Sequence, residues 1–228
     1  MRGMGEARAL VVRRDLEPSQ ARPLLERVAA IRWGDLYHAY GPAVDVPGQL
    51  AAVIAGDDAT RSEGWWNLGG NIHHQGTIFE ATVPAVPIIL SIAGWQEHPD
   101  RVQALVLLRE IGAAEGVAVW RYGPSDEIVT DEAAQERLYA VLRSELDSGA
   151  AELLGQWREE PEPVRRSLLW LLTALHDLRP QHEAFVAKML PEEHRRAWDL
   201  VVEVSAENEK DADAVFALED WVFAEAAG

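Results

Sequence analysis

The chain contains no cysteine. Disulfides, thiolate metal sites and cysteine nucleophiles are therefore excluded, and the absence fits a reducing compartment. It also lacks any run of about 18 or more uncharged apolar residues, so no helix is expected to span a membrane. Residues 1–22 carry arginines but not the long apolar core of a signal peptide. They read as a loosely held leader to a single domain over 23–228, in a cytoplasmic protein. Basic residues are the next scarcity: 21 Lys and Arg face 38 Asp and Glu, for a formal net charge of -17. Between Trp33 and Asp100 the only basic residue besides histidine is Arg61, and between Glu203 and Glu225 it is Lys210. Such a field repels phosphate backbones, so nucleic acid is a poor partner, whereas a basic protein or a cationic small molecule is favoured. The bland use of the same acids is solubility. Alternating strand patterns are scarce as well. The GxSxG, HExxH, P-loop and GxGxxG motifs are all missing.

What is present is helix periodicity. Apolar residues recur at three- and four-residue spacing almost throughout, and they make up 48% of the 228 residues, enough for a substantial core. Pro23–Ile31 predicts a short amphipathic helix, followed by an aromatic connector through Trp33, Tyr37 and Tyr40. Asp45 is placed to cap a helix carrying Leu50, Val53 and Ile54, which Gly56 closes. Another helix starts at Asp57 or Asp58 and presents Trp65, Leu68 and Ile72. Its Gly64, Gly69 and Gly70 each lower helix propensity by about 1 kcal/mol relative to alanine, which predicts a close neighbouring backbone or a break near Gly69. A long apolar helix is expected over Ile78–Gly94, either kinked by Pro84 and Pro87 or starting at Pro84. Arg101–Ile111 reads as a clean amphipathic helix. Residues 115–130 read as an inserted loop packed through its aromatics, with a short extended segment at Val117, Val119 and Trp120 as the alternative. Helices then follow from a cap at Thr130 or Asp131 to about Leu146, Ala150–Arg158 after a glycine break, Val164–Leu175, Gln181–Leu190 and Pro191–Ser205. A C-terminal capping helix runs over Asp211–Ala226.

Three segments align without gaps: ATRSEGWWNLGGNI from Ala59, PDRVQALVLLREIG from Pro99 and PVRRSLLWLLTAL from Pro163. Each places an arginine (Arg61, Arg101, Arg165) ahead of apolar residues at plus four and plus seven. A single helical hairpin cannot bury both faces, whereas stacked copies share a core. The stretch VPIILSIAGWQEHPDRVQALVLLREIGA, with its apolar first helix, Pro-Asp turn and arginine-led second helix, resembles a HEAT repeat. The resemblance covers roughly Asp45–Ser205 and extends to uncharacterised bacterial HEAT-like proteins through NIHHQGTIFEATVPAVP. It implies an all-α fold, a right-handed α-solenoid of stacked antiparallel helical hairpins, whose ordinary use is binding.

The densest polar cluster is Asn71, His73, His74, Gln75 and Thr77, followed by Glu80. If helical geometry continued through Gly76, then His73, Thr77 and Glu80 would share a face. One reading makes a histidine a general base oriented by Glu80, or makes two histidines and Glu80 metal ligands. The other is a polar corner that caps helix ends, and it leaves the chain without a metal or cofactor. Trp65 with Trp66, and Trp33 with Tyr37 and Tyr40, form either aromatic pockets for flat or cationic ligands or inter-repeat core. His176-Asp177 is an isolated metal-type dipeptide, and Asp57-Asp58 lacks the further acid of a diphosphate site. Arg165, Arg166, Arg195 and Arg196 are the one local basic patch that a DNA-binding role would use. The expectation is therefore a scaffold that binds a basic protein on an acidic, aromatic concave face. The alternative is a small-molecule binder or enzyme with a Trp/His/Glu-lined pocket around residues 65–80.

Overall fold

The computed structural model describes residues 20–122, 128–175, 192–203 and 209–224. Helices dominate them: α1 (Ala21–Ala30), α2 (Val46–Ala55), α3 (Asp58–Ile72), α4 (Thr82–Gly94), α5 (Arg101–Gly112), α6 (Glu132–Gly155), α7 (Glu162–Leu172), α8 (Glu192–Glu203) and α9 (Glu209–Phe223). α2 packs along α3, and α4 along α5. α6 lies against α4 and α7 against α5, while α9 packs on both α8 and α7. α4 holds no charged residue and is covered by α1, α5 and α6, as expected of a helix that is apolar all round. Ile88, Ile89 and Ile92 of α4 meet Leu105, Leu108 and Ile111 of α5 in the fully buried centre. Each such side chain contributes about 1.5–3 kcal/mol by leaving water.

The recurring arginine has a physical reason. Arg61 Nη1 donates to the Gly56 carbonyl at the end of α2 (3.0 Å), and its Nε donates to Asp100 in the turn before α5 (2.7 Å). Arg101 repeats the arrangement one pair later. Its Nε donates to the Ala93 carbonyl in the last turn of α4 (2.8 Å), and its Nη2 to Glu160 before α7 (2.7 Å). Each arginine thus satisfies an orphan carbonyl at the end of one helix and a carboxylate in the turn leading to the next pair. Arg165 makes neither contact among the described residues.

Gly64 is where a neighbouring element does approach closely. A Cβ there would lie 3.0 Å from both Ala52 Cβ and Val53 Cγ1 of α2. The break expected near Gly69 does not occur, because α3 runs unbroken to Ile72. α6 likewise continues through Gly149, which corrects the expected interruption before Ala150. Tertiary packing overrides the weak penalty of an isolated glycine. Asp45 sits at the N-cap of α2, yet its side chain caps nothing there; it bonds His38, Gln49 and Asn71 instead.

The mainly helical expectation holds among the described residues, and short strands punctuate it. β1 (Tyr37–His38) and β2 (Gly41–Pro42) pair in the connector after α1. β3 (His73–His74) and β4 (Thr77–Phe79) form a hairpin between α3 and α4, and β5 (Gly116–Ala118) adds to β4 in parallel. Ile78 therefore belongs to a strand, and the helix expected from that residue begins at Thr82, with Pro84 in its first turn. The 115–130 stretch is correspondingly not a plain loop: it holds β5 and a second hairpin of β6 (Trp120–Tyr122) and β7 (Ile128–Thr130). Residues 1–19 of the leader, His176-Asp177 and the helix expected over Gln181–Leu190 lie outside the described residues.

Candidate functional site: an acidic, aromatic groove between α3 and α5

The polar cluster turns on Gln75 and Gly76. Both have positive φ, 48° and 75°, the geometry of a two-residue hairpin turn whose twist matches the flanking strands. Register pairs His73 with Ile78 and His74 with Thr77, so the two histidines project to opposite faces of the hairpin. The helical face expected to join His73, Thr77 and Glu80 does not exist, because α3 ends at Ile72. The hairpin is held from both sides. Thr82 Oγ1 donates to the Ile72 carbonyl and accepts from Phe79 N–H (2.9 Å), and the Gly76 carbonyl accepts from Glu115 N–H (2.9 Å).

Several expected site residues lie away from any shared cleft. Asn71 is buried and donates to Asp45 (2.9 Å), while its carbonyl accepts from Ala39 N–H (3.0 Å). Thr77 packs on Gly116, where an added Cβ would lie 3.2 Å from its Oγ1. Gln75 is the exposed turn residue. Trp33 is buried, with its indole N–H on the Val28 carbonyl (2.8 Å). Tyr37 is half-buried in β1 and takes Ala81 N–H on its carbonyl (3.0 Å). Glu80 lines a separate cleft of about 590 Å³ with Leu36, Val83, Leu138 and Val141, not the groove that His73 and His74 line. Among the described residues no group of three His, Asp or Glu side chains is placed to hold a metal ion.

Four of the expected residues do converge. Trp65, Trp66, His73 and His74 line an open groove of about 1350 Å³ between α3 and α5. Trp65 forms part of its floor: it is buried, and its N–H donates to Asp100 Oδ2 (3.1 Å), the oxygen that also accepts from Arg61. Trp66 is 83% exposed and Tyr40, at the groove's end, 67%. The Tyr40 hydroxyl lies 3.2 Å from His74 Nδ1, with the rings edge to face at 5.3 Å. Burial holds the His73 imidazole below its ordinary range, against an opposing pull from Glu110.

The groove is negative. Its lining includes Asp58, Glu63, Asp100 and Glu110, with Arg61 the one lysine or arginine in it among the described residues. That guanidinium is committed to Asp58 (2.8 Å) and Asp100 (2.7 Å). Arg109 reaches Glu110 (2.8 Å), but its guanidinium carbon stacks 4.3 Å from the Trp170 ring on α7 rather than entering the groove. Tyr40 was expected in a pocket with Trp33 and Tyr37 rather than beside His74, and the Arg61–Asp100–Trp65 network was not foreseen. The only signals were the aromatic connector and the Pro-Asp turn, neither of which points across the fold. No protein-family model, curated protein or solved structure matches the chain.

Proposed function

We propose that this chain is a HEAT-like α-solenoid, an array of stacked helical hairpins that binds a basic protein partner in the α3–α5 groove. One observation carries the reading: an exposed tryptophan stands in a groove where carboxylates outnumber the one committed guanidinium. A tryptophan that remains 83% exposed contributes little to folding, and aromatic anchors of this kind dominate the energetics of interfaces. The repeated arginine contacts of Arg61 and Arg101 support a stacked array, since the same device joins successive helix pairs. A scaffold that neutralises or assembles its partner fits this surface. Convergence of Trp66, His73 and His74 on one cleft favours, as a second reading, a small cationic ligand in the same place.

The test is affinity capture from the native host with the full chain and a Trp66→Ala/Glu63→Gln variant as parallel baits. The expected result is a basic protein held at low salt, released at high salt and lost with the variant. A co-purifying metabolite with no protein partner would sink the scaffold reading in favour of the small ligand. Capture that the variant leaves unchanged would remove the groove from the mechanism.

A further inference from the structure

The groove also carries information about the shape of its occupant. It is lined from Asp58 at the start of α3 to His74 just beyond its end. A helix of 15 residues is about 22 Å long, which matches about seven residues of extended chain. Along this trough Trp66 is followed at plus three and plus four by Gly69 and Gly70, on the same helical face. Neither glycine is required by the protein's own packing. Among the described residues a Cβ at Gly70 would meet nothing within 4 Å, and one at Gly69 would make an ordinary contact with Leu107 at 3.7 Å. Both have negative φ. They contrast with Gly64 on the same helix, whose missing side chain lets α2 in. Both glycines line the groove, so they bare the α3 backbone beside the exposed indole.

We infer, on the reading that this groove takes a basic partner, that its occupant is an extended peptide segment of about seven residues. The segment lies on the bare Gly69–Gly70 strip, with one Lys or Arg side chain over Trp66. Charge complementarity selects that chemistry. Glu63, one turn before Trp66, makes no ion pair among the described residues, so a cation on the indole face gains a carboxylate as well as the ring. Asp58 and Asp100 share the single charge of Arg61, which leaves the groove negative after its internal pairs are counted. An open trough the length of a helix exceeds the needs of a compact ligand.

The experiment uses the full chain, fluorescein-labelled octa-arginine as the probe and fluorescence anisotropy at near-physiological salt. The parent is compared with Gly70→Ala, Gly70→Leu and Trp66→Ala, none of which changes the net charge. Gly70→Ala is expected to melt no lower than the parent, since the added Cβ meets no described atom within 4 Å, and the melt of Gly70→Leu is measured beside it to separate lost binding from lost folding. Gly70→Leu and Trp66→Ala are each expected to weaken binding by about tenfold or more, as loss of an interface anchor does. Equal binding by the parent and Gly70→Leu would overturn the strip while leaving a basic partner elsewhere on the groove intact. Spermine that competes as well as an unlabelled peptide of equal charge would overturn the extended segment. Absence of probe binding to the parent would overturn the inference outright, and host capture of a basic protein would still stand as a separate result.

Discussion

Replacing Glu160 with leucine is the sharpest test of how the helix pairs are joined. The Glu160 side chain is 2% exposed and that of Arg101 6%, with 2.7 Å between their charged atoms. The second carboxylate oxygen, Oε2, is buried with no hydrogen-bond partner among the described residues, so the pair is not ideally solvated even when intact. Removing the acid alone strands a buried guanidinium whose remaining hydrogen bond is to the Ala93 carbonyl. Breaking one side of a buried pair costs about 3–5 kcal/mol. For a chain of this size, about 4 kcal/mol corresponds to a fall of about 12 °C in melting temperature. The double variant Arg101→Met/Glu160→Leu removes both desolvated charges and is expected to recover most of that loss. It keeps a deficit of about 1 kcal/mol for the unsatisfied Ala93 carbonyl. Thermal melts and urea titrations of the two single variants and the double variant supply the complete cycle. If Glu160→Leu melts within about 2 °C of the parent, or the double variant is as poor as the sum of the singles, the arginine contacts are not the joint described here.

Four further outcomes follow from the same geometry. Gly64→Leu is expected to cost about 2–3 kcal/mol by chemical denaturation, because its side chain must enter space held by Ala52 and Val53 at 3.0 Å. Gly70→Ala is expected to gain up to about 1 kcal/mol, so opposite signs at two glycines of one helix check the packing directly. Gln75→Asn should raise the melting temperature by about 1–3 °C, since asparagine tolerates the positive φ of the turn better than glutamine. Burial holds His73 and His98 below the ordinary imidazole range, and the His98 ring is fixed neutral by donating to the Val53 carbonyl (2.9 Å) while accepting from Asp100 N–H (3.1 Å). Such histidines bind fewer protons folded than unfolded, so their stabilisation is present above an unfolded pKa of about 6.5 and is lost as pH falls below it. Urea midpoints between pH 7.5 and pH 5.5 should fall for the parent and fall less for His98→Gln; equal slopes would remove His98 from the account.

Much of the helical framework was legible because helix signals are local. The 3.6-residue stripe of Arg101–Ile111, the Asp57 cap and the glycine stop after Ile54 are readable within a few residues. The Asp57 side chain does accept from Thr60 N–H (2.9 Å), as a cap at that position should. The hairpin at His73–Phe79 was not legible. Its strands are two and three residues long, too short for alternation to show, and Gln-Gly is a weak turn signal beside Asn-Gly. Missing it misplaced the whole cluster, because a strand alternates the directions of His73 and His74 where a helix would turn them by 100° per residue. Of the candidate residues, Trp65, Trp66, His73 and His74 came together in one groove, whereas Asn71 bonds the connector, Gln75 sits exposed in the turn, Thr77 packs on Gly116 and Glu80 lines another cleft.

The sequence by itself determined the helical class, the acidic balance and the recurrence of an arginine at the head of the second helix of a pair. These follow from composition and from contacts within about four residues, which any reader of the chain can count. Only the tertiary structure decided what those arginines hold, which of three glycines in α3 admits a neighbour and which of two adjacent tryptophans faces solvent. Trp65 and Trp66 have the same side chain and the same local sequence. One indole donates to Asp100 from the next helix pair and the other stands in the groove, because a 100° step on a helix surface separates core from solvent. That step acquires meaning only when a second helix arrives to define the inside.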